Sequence, residues 1–383
     1  MSQLKIYARV RLNTLEGYKN RPFKITLREQ NIQIIQEKLN VVNKRIMYTK
    51  DYHFDKIYDI DYDNIDIYNE LGRKLLNHIS QNQNSVFYVY GQTGSGKTHS
   101  LLGNHNTPGM IQYLLEDLTH VFPEIKYCGI QVYNNRCYDI FNNNNMIREC
   151  EVKDGSIQFT NITRHTLTRG LIKDTISKIK TARHVGISSS NDVSSRSHLI
   201  IKLYVNNRYI MLVDLAGSER AKRSQYNGQQ NMRENADINL GILALKECIR
   251  GIKRGNIPYR NSKITKILKE TFSSSVHSYI LATMSPLKKD IQDSMDTLKY
   301  MSDFKKFKKK DQSVLPPIPD VQKESLNKIN LGINLELNKA ELEHTKLLGL
   351  IEDNIKSLND LKCDLLHQRE TKKEKADKLR NKK

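Results

Sequence analysis

The segment Gly91-Gln92-Thr93-Gly94-Ser95-Gly96-Lys97-Thr98 satisfies the pattern G-x-x-x-x-G-K-[ST] at each fixed position. Those residue types suit one chemistry, the holding of a polyphosphate. Glycines let the backbone wrap the phosphates so that successive N–H groups point inward, and the start of a following helix adds positive potential. Lys97 is placed to reach the β- and γ-phosphates, and the Thr98 hydroxyl to ligate Mg²⁺. A glycine-rich structural turn is the competing reading. The aromatic and β-branched run 85–90 before the loop, with a helix start after it, favours the phosphate cradle. The pattern leaves the base open, because many nucleotide hydrolases share it.

Two more segments supply what hydrolysis of a bound triphosphate needs. Asn191-Asp192-Val193-Ser194-Ser195-Arg196-Ser197-His198 gathers hydroxyls around one arginine, and Val213-Asp214-Leu215-Ala216-Gly217-Ser218-Glu219-Arg220 carries Asp-x-x-Gly after a strand-like run. Asp214 at a strand end suits Mg²⁺ held through water, and the Gly217 N–H can sense a γ-phosphate, which makes an order–disorder switch. Phosphoryl transfer asks mainly for positioning and charge stabilisation, so hydroxyls, a backbone N–H and a lysine suffice if they converge.

The elements that must position these groups read as mixed strands and helices. Strand patterns cover 4–10, 85–90, 127–133, 199–205, 209–213 and 278–284; helical ones cover 109–121, 171–185, 235–254 and 263–271. Their interleaving predicts a three-layer α/β domain. After residue 304 come the basic run 305–310 and the cluster Pro316-Pro317-Ile318-Pro319, a semi-rigid linker. Beyond it Leu348, Ile351, Ile355, Leu358 and Leu365 step by threes and fours, with Lys362 interrupting the seam. That fits either a short coiled coil or a helix packing back on the preceding domain. The expected division is 1–304, 305–320 and a helical, basic tail at 321–383.

Tyr90 to His99, Ser194-Ser195-Arg196-Ser197-His198 and Asp214-Leu215-Ala216-Gly217-Ser218-Glu219-Arg220 together resemble the three nucleotide signatures of kinesin motors, in kinesin order and at kinesin-like separations. The resemblance runs from about Lys5 to Phe304 and includes 131–139, similar to a family strand. It implies the kinesin motor fold, a P-loop NTPase with a central, mostly parallel twisted sheet and helices on both faces, here with a C-terminal helical extension. It also implies a microtubule-stimulated ATPase with ATP and Mg²⁺ as cofactors. Ser194 and Ser195 would contact Mg²⁺ and the water near the γ-phosphate. Arg196 and Glu219 would form the salt bridge that closes the two switches and holds a water chain. His99 and Tyr68 would flank the adenine, with Arg9 and Arg11 beside it. Leu12 stands where the family usually has proline, which loosens that bracket, while the absence of an Asn-Lys-x-Asp guanine motif favours ATP.

The net charge of +20 asks for a polyanionic partner without naming it. Lys246, Arg250, Lys253 and Arg254 lie on the long helix after the second switch, and Arg260, Lys263, Lys266 and Lys269 around the next. By resemblance these match the elements that meet acidic tubulin, and such a surface is expected to lose affinity with salt. The stretch 244–250 looks like the internal-motor, depolymerising class. Leu240 departs from its usual lysine, the early loop 38–43 lacks a Lys-Val-Asp copy, and, with a strand expected from residue 4, no basic neck is expected before the motor. End depolymerisation or movement, plus-end translocation, and a nucleotide-regulated binding module with weak hydrolysis are the readings weighed. Microtubules, including those of a spindle, in the cytoplasm are the expected location, with a homodimer available through the tail helix. No nucleic-acid or membrane partner is expected: no run of about 18 apolar residues exists, and the start lacks a signal-peptide core. Five scattered cysteines without CxxC spacing suggest reduced thiols and no metal cluster.

Overall fold

Side-chain alternation decides the strands. In a computed structural model, β1 (Lys5–Val10) opens the chain. β2 (Phe23–Thr26), β3 (Asn31–Leu39) and β4 (Arg45–His53) pair antiparallel as a separate three-stranded sheet. The described residues are 4–11, 23–26, 30–39, 45–152, 156–184, 193–219, 229–273 and 275–306. All of them lie in one compact unit, Met1–Asp311. Leu12, Asn191, Asp192, Arg220, the linker and the tail fall outside them, as do the side chains of Ser194 and Lys253.

The large sheet joins β1 to β5 (Lys56–Tyr58), β6 (Asn84–Tyr90), β7 (Ile125–Tyr133), β8 (Arg136–Asp139), β9 (Asn145–Glu151), β10 (Ile157–Thr160), β11 (His165–Leu167), β12 (His198–Val205), β13 (Arg208–Asp214) and β14 (Val276–Met284). Its order is β10-β9-β8-β7-β12-β13-β6-β14-β1-β5, with β11 added to β7. The half built from β13, β6, β14, β1 and β5 is parallel, while the flank from β12 outward pairs antiparallel. The register of the parallel half sets Arg9 beside Thr283 and Asp214 beside Val89, so their chemistry collects at the carboxyl ends of the strands. Open α/β sheets bind ligands there.

Nine α-helices cover the described sheet: α1 (Asn64–Ile67), α2 (Arg73–Ser80), α3 (Lys97–Leu102), α4 (Met110–Val121), α5 (Ile172–His184), α6 (Val193–Arg196), α7 (Gln229–Arg254), α8 (Lys263–Ile267) and α9 (Ile291–Lys306). Along β6, Val86, Tyr88 and Tyr90 face one core with Leu245, Ile264 and Leu298 of α7, α8 and α9. Phe87 and Val89 face the other with Leu75, Leu114 and Ile179 of α2, α4 and α5. A strand buried on both faces must be apolar throughout, which is why 85–90 reads as a continuous run. The three-layer expectation holds.

One expected helix is shorter. The stretch 263–271 breaks at Leu268, and a 3₁₀ turn (Lys269–Phe272) follows. Both the backbone N–H and the hydroxyl of Thr271 donate to Leu268 O, at 2.9 and 2.6 Å, and draw the chain out of α geometry.

Candidate functional site

Local sequence builds the loop between β6 and α3. Gly96 enters α3 at φ +101°, a left-handed conformation that a side chain resists. Buried Ser95 donates to Gln92 O at 2.7 Å and lies 2.6 Å from Thr283 Oγ1 on β14. Lys97 is only 6% exposed, and its Nζ donates to Gly91 O and Gln92 O at 2.9 Å each. The ammonium thus sits inside the cradle on its own carbonyls. Arg11, exposed, donates to Gly94 O at 2.5 Å from above.

Behind the loop lies a buried charge pair. Thr98 Oγ1 donates to Asp214 Oδ2 at 2.7 Å, and Arg183 Nη2 approaches the same oxygen at 3.2 Å. Arg183 also donates through Nη1 to Ser197 O at 2.8 Å, which joins α5 to both switch segments. Sequence reasoning missed Arg183. Its signal was there: Ile172, Ile176, Ile179 and Arg183 make one buried stripe of α5, and an arginine inside an apolar stripe needs a partner. Among the described residues, no cluster of three or more His, Cys, Asp or Glu could hold a metal by itself. The donor set here is of another kind. A hydroxyl meets a fully buried carboxylate whose Oδ1 has no hydrogen-bond partner, which fits Mg²⁺ held between protein and phosphate oxygens.

The switches are strapped together. Gly217 N–H donates to Ser195 O at 2.8 Å, Ser218 N–H to Gly91 O at 3.1 Å, and Ala216 N–H to His198 Nδ1 at 3.1 Å. Burial, with Arg183 and Lys97 nearby, pushes the His198 imidazole down to about 3, so it stays a neutral acceptor. The Glu219 carboxylate, expected opposite Arg196, is taken up by the phosphate loop: it accepts from the Thr93 N–H at 2.8 Å and from the Thr93 hydroxyl. A Cβ on Gly217 would sit 2.4 Å from both Glu219 Oε2 and Thr93 Oγ1, so a larger residue there would have to displace the Glu219 carboxylate from Thr93. Arg196 lies half-buried at the wall of a cavity of about 270 Å³ that runs to α7 and α8.

On the base side two of the expected residues are buried. Tyr68 sits in a π turn, 3% exposed, its ring tilted on Tyr113 at 5.6 Å and its hydroxyl bonded to Asp117. It packs in the core. Arg9 is 9% exposed and donates to Asn64 Oδ1 at 2.5 Å and Ser100 Oγ at 2.7 Å. Burial lowers it to about 10, although Asp63 and Asp66 oppose the shift. Inward-facing β1 spends this guanidinium on holding α1 to α3. Asn64, also missed, donates to His99 O at 3.0 Å and Pro108 O at 2.8 Å. Arg11 and half-buried His99 are left beside the loop.

A model of the kinesin motor domain matches residues 9–307. The chain belongs to the kinesin family. Kinesin-like protein KIF24 of Homo sapiens is 28% identical over 305 residues, which cover 74% of this chain and 22% of that one. Kinesin-like protein KIN-13B of Arabidopsis thaliana is 26% identical over 330 residues, covering 81% and 48%. The chain therefore spans less than half the length of these relatives. Among solved structures, a kinesin from a study of mutants and activation of the motor ATPase aligns with a TM-score of 0.64 at 24% identity, over 79% of this chain and 98% of that one. A KIF14 dimer bound to AMP-PNP on a microtubule aligns at 0.65 and 22%, over 79% and 93%.

In this kinesin the basic side chains expected on one surface do collect around α7 and α8, but most are engaged. Glu149 on β9 accepts from Lys263 and, at 3.3 Å, from Lys266. Glu151 accepts from Lys269 and, at 3.2 Å, from Arg260. Burial pushes the Glu149 carboxyl up, but Lys263 and Lys266 outweigh it and the net shift is down. Lys269 and Arg260 take Glu151 down to about 2. On α7, Arg250 pairs with Glu247 at 2.8 Å and Lys246 lies 4.1 Å over the Tyr300 ring. Arg254 is exposed.

Proposed function

We propose that this kinesin is a microtubule-dependent ATPase that turns ATP hydrolysis into depolymerisation of filament ends or movement along them. One observation carries the reading: Gly217 and Glu219 of the second switch are tied at once to Ser195 of the first switch and to Thr93 of the phosphate loop. The family match and the KIF14 complex with AMP-PNP on a microtubule support it.

Gly91, Gln92, Thr93, Gly94, Ser95, Gly96, Lys97 and Thr98 hold the triphosphate, with Arg9, Arg11, Tyr68 and His99 on the side of the base. Thr98, Ser194 and, through water, Asp214 would hold Mg²⁺, which neutralises charge on the β- and γ-phosphate oxygens when bound. Filling the cradle requires Lys97 to leave Gly91 O and Gln92 O, and Thr93 to release the Glu219 carboxylate. Glu219 is then free to meet Arg196 and close the switches. The closed pair orders water to take the proton of the nucleophile, while Ser195 and, once it leaves Ser195 O, the Gly217 N–H face the γ-phosphate. Because α7 follows the second switch, this exchange re-aims Lys246, Arg250, Lys253 and Arg254, and with them Arg260, Lys263, Lys266 and Lys269, towards tubulin.

Residues 1–304 serve as the motor, 305–320 as a linker, and 321–383 as a tail helix that can pair two chains on cytoplasmic microtubules, the spindle's among them. The stretch Lys246-Glu247-Cys248 favours the depolymerising class. Plus-end translocation is the second reading, and a nucleotide-regulated microtubule-binding module with weak hydrolysis the third.

A steady-state ATPase assay with and without stabilised microtubules tests the proposal. We expect turnover to rise at least about tenfold with microtubules and Lys97→Ala to remain folded but inactive. Unstimulated turnover, or full activity in Lys97→Ala, would refute it.

A further inference from the structure

We infer that Asn64 is a positioning residue for nucleotide binding, a buried hub that fixes the spacing between the phosphate loop and the side on which the base is held. That role rests on the ATP reading above and deepens it.

Asn64 opens α1, a helix of four residues, and is fully buried. A buried amide needs partners for its oxygen and for both its N–H groups. Three separate segments supply them. Asn64 Oδ1 accepts from Arg9 Nη1 at 2.5 Å, while Nδ2 donates to His99 O at 3.0 Å and to Pro108 O at 2.8 Å. Turning the amide over would set its oxygen against two carbonyls, so the orientation is fixed.

One branch runs from Arg9 to the phosphate loop. The same Nη1 donates to Ser100 Oγ at 2.7 Å, and Ser100 Oγ donates to Gly96 O at 2.8 Å. The other branch runs through Pro108 to the turn 103–109, which is closed on itself. Asn104 N–H donates to Thr107 O at 2.9 Å, and Asn104 Oδ1 accepts from the Asn106 and Thr107 N–H groups at 2.9 and 2.7 Å. His99 hangs from the hub by its carbonyl. Burial, with Arg9 and Arg11 nearby, holds its imidazole below the ordinary value, so the ring is uncharged near neutral pH.

Base and phosphates belong to one ligand, so both contribute to affinity only where their seats keep one separation. A tie that served Arg9 alone would use Oδ1 and nothing more. The two donors reach instead to His99 and to the turn after α3, and so hold the base side to the strand and loop that set the phosphates.

Equilibrium titration of the full chain compares wild type with Asn64→Ala, and with Asn64→Ser, which keeps a polar group at the site should alanine fail to fold. Two probes are used: a non-hydrolysable ATP analogue, and tripolyphosphate, which has the phosphates and no base. We expect Asn64→Ala to bind the analogue about tenfold more weakly and tripolyphosphate within about twofold of wild type. Asn64→Ser should show the same selective loss, smaller in size. Analogue affinity within about twofold of wild type in the folded variants makes Asn64 a structural tie only and overturns the inference. An equal loss for both probes does so too, because it places the damage in the phosphate loop. Should neither variant fold, Asn64 serves the core and the inference falls. Wild type that binds neither probe defeats the ATP reading instead.

Discussion

Arg183 and Asp214 put two opposite charges where water does not reach, 1% and 0% exposed. Removing one partner of such a pair strands the other, at a cost of about 3–5 kcal/mol. Arg183→Ala should therefore lower the unfolding free energy by about 3 kcal/mol or more, read by denaturant melts. Adding Asp214→Asn should restore part of the loss, since no buried charge remains. His198 gives a pH-dependent counterpart. Its folded value of about 3 lies below the ordinary 6.5, so the unfolded chain binds the extra proton. That stability is present above pH 6.5 and drains away as pH falls towards 3, because protonation would also cost the Ala216 N–H its acceptor. Melting temperature should fall across that window, and by less in His198→Asn. Lys97 and Thr98 were legible in the sequence because their chemistry is local to eight residues. Arg183 and Asn64 were not, since their partners lie far along the chain. Tyr68 and Arg9 were expected at the base from resemblance alone; what the structure adds is that both are buried, in the π turn and on β1.

At the scale of elements, β9 is a charge clasp laid along α8. Its Glu149 side chain is 7% exposed and ties down Lys263 and Lys266. Glu149→Gln should free both ammonium groups, raise microtubule affinity several-fold at low ionic strength and steepen its fall with salt. Unchanged affinity at low salt in a co-sedimentation titration would show that the clasp opens at no net cost. Buried strands and amphipathic helices were readable from apolar runs and period: β6, β12, β13 and β14 match their expected runs within two residues. The sheet of β2, β3 and β4 was not, because its alternation is short, in Phe23-Lys24-Ile25-Thr26 and Asn31-Ile32-Gln33-Ile34, and gives way to Gln, Glu and Lys. The break at Leu268 escaped notice too, for it depends on a Thr271 hydroxyl that local propensity does not register.

Across the whole molecule, the parallel half of the sheet fixes the phosphate loop, and the two switch segments lead from it to α7 and the basic surface. Glu219 sits at the hand-over: it is bonded to Thr93 in this structure, and the proposed cycle passes it to Arg196 once the loop is filled. Coupling between nucleotide and filament is therefore the central claim. The most direct measurement is microtubule affinity by co-sedimentation with a non-hydrolysable ATP analogue against ADP. We predict a difference of at least about tenfold between the two states, within the usual range for coupled sites. Equal affinity in both would contradict the account.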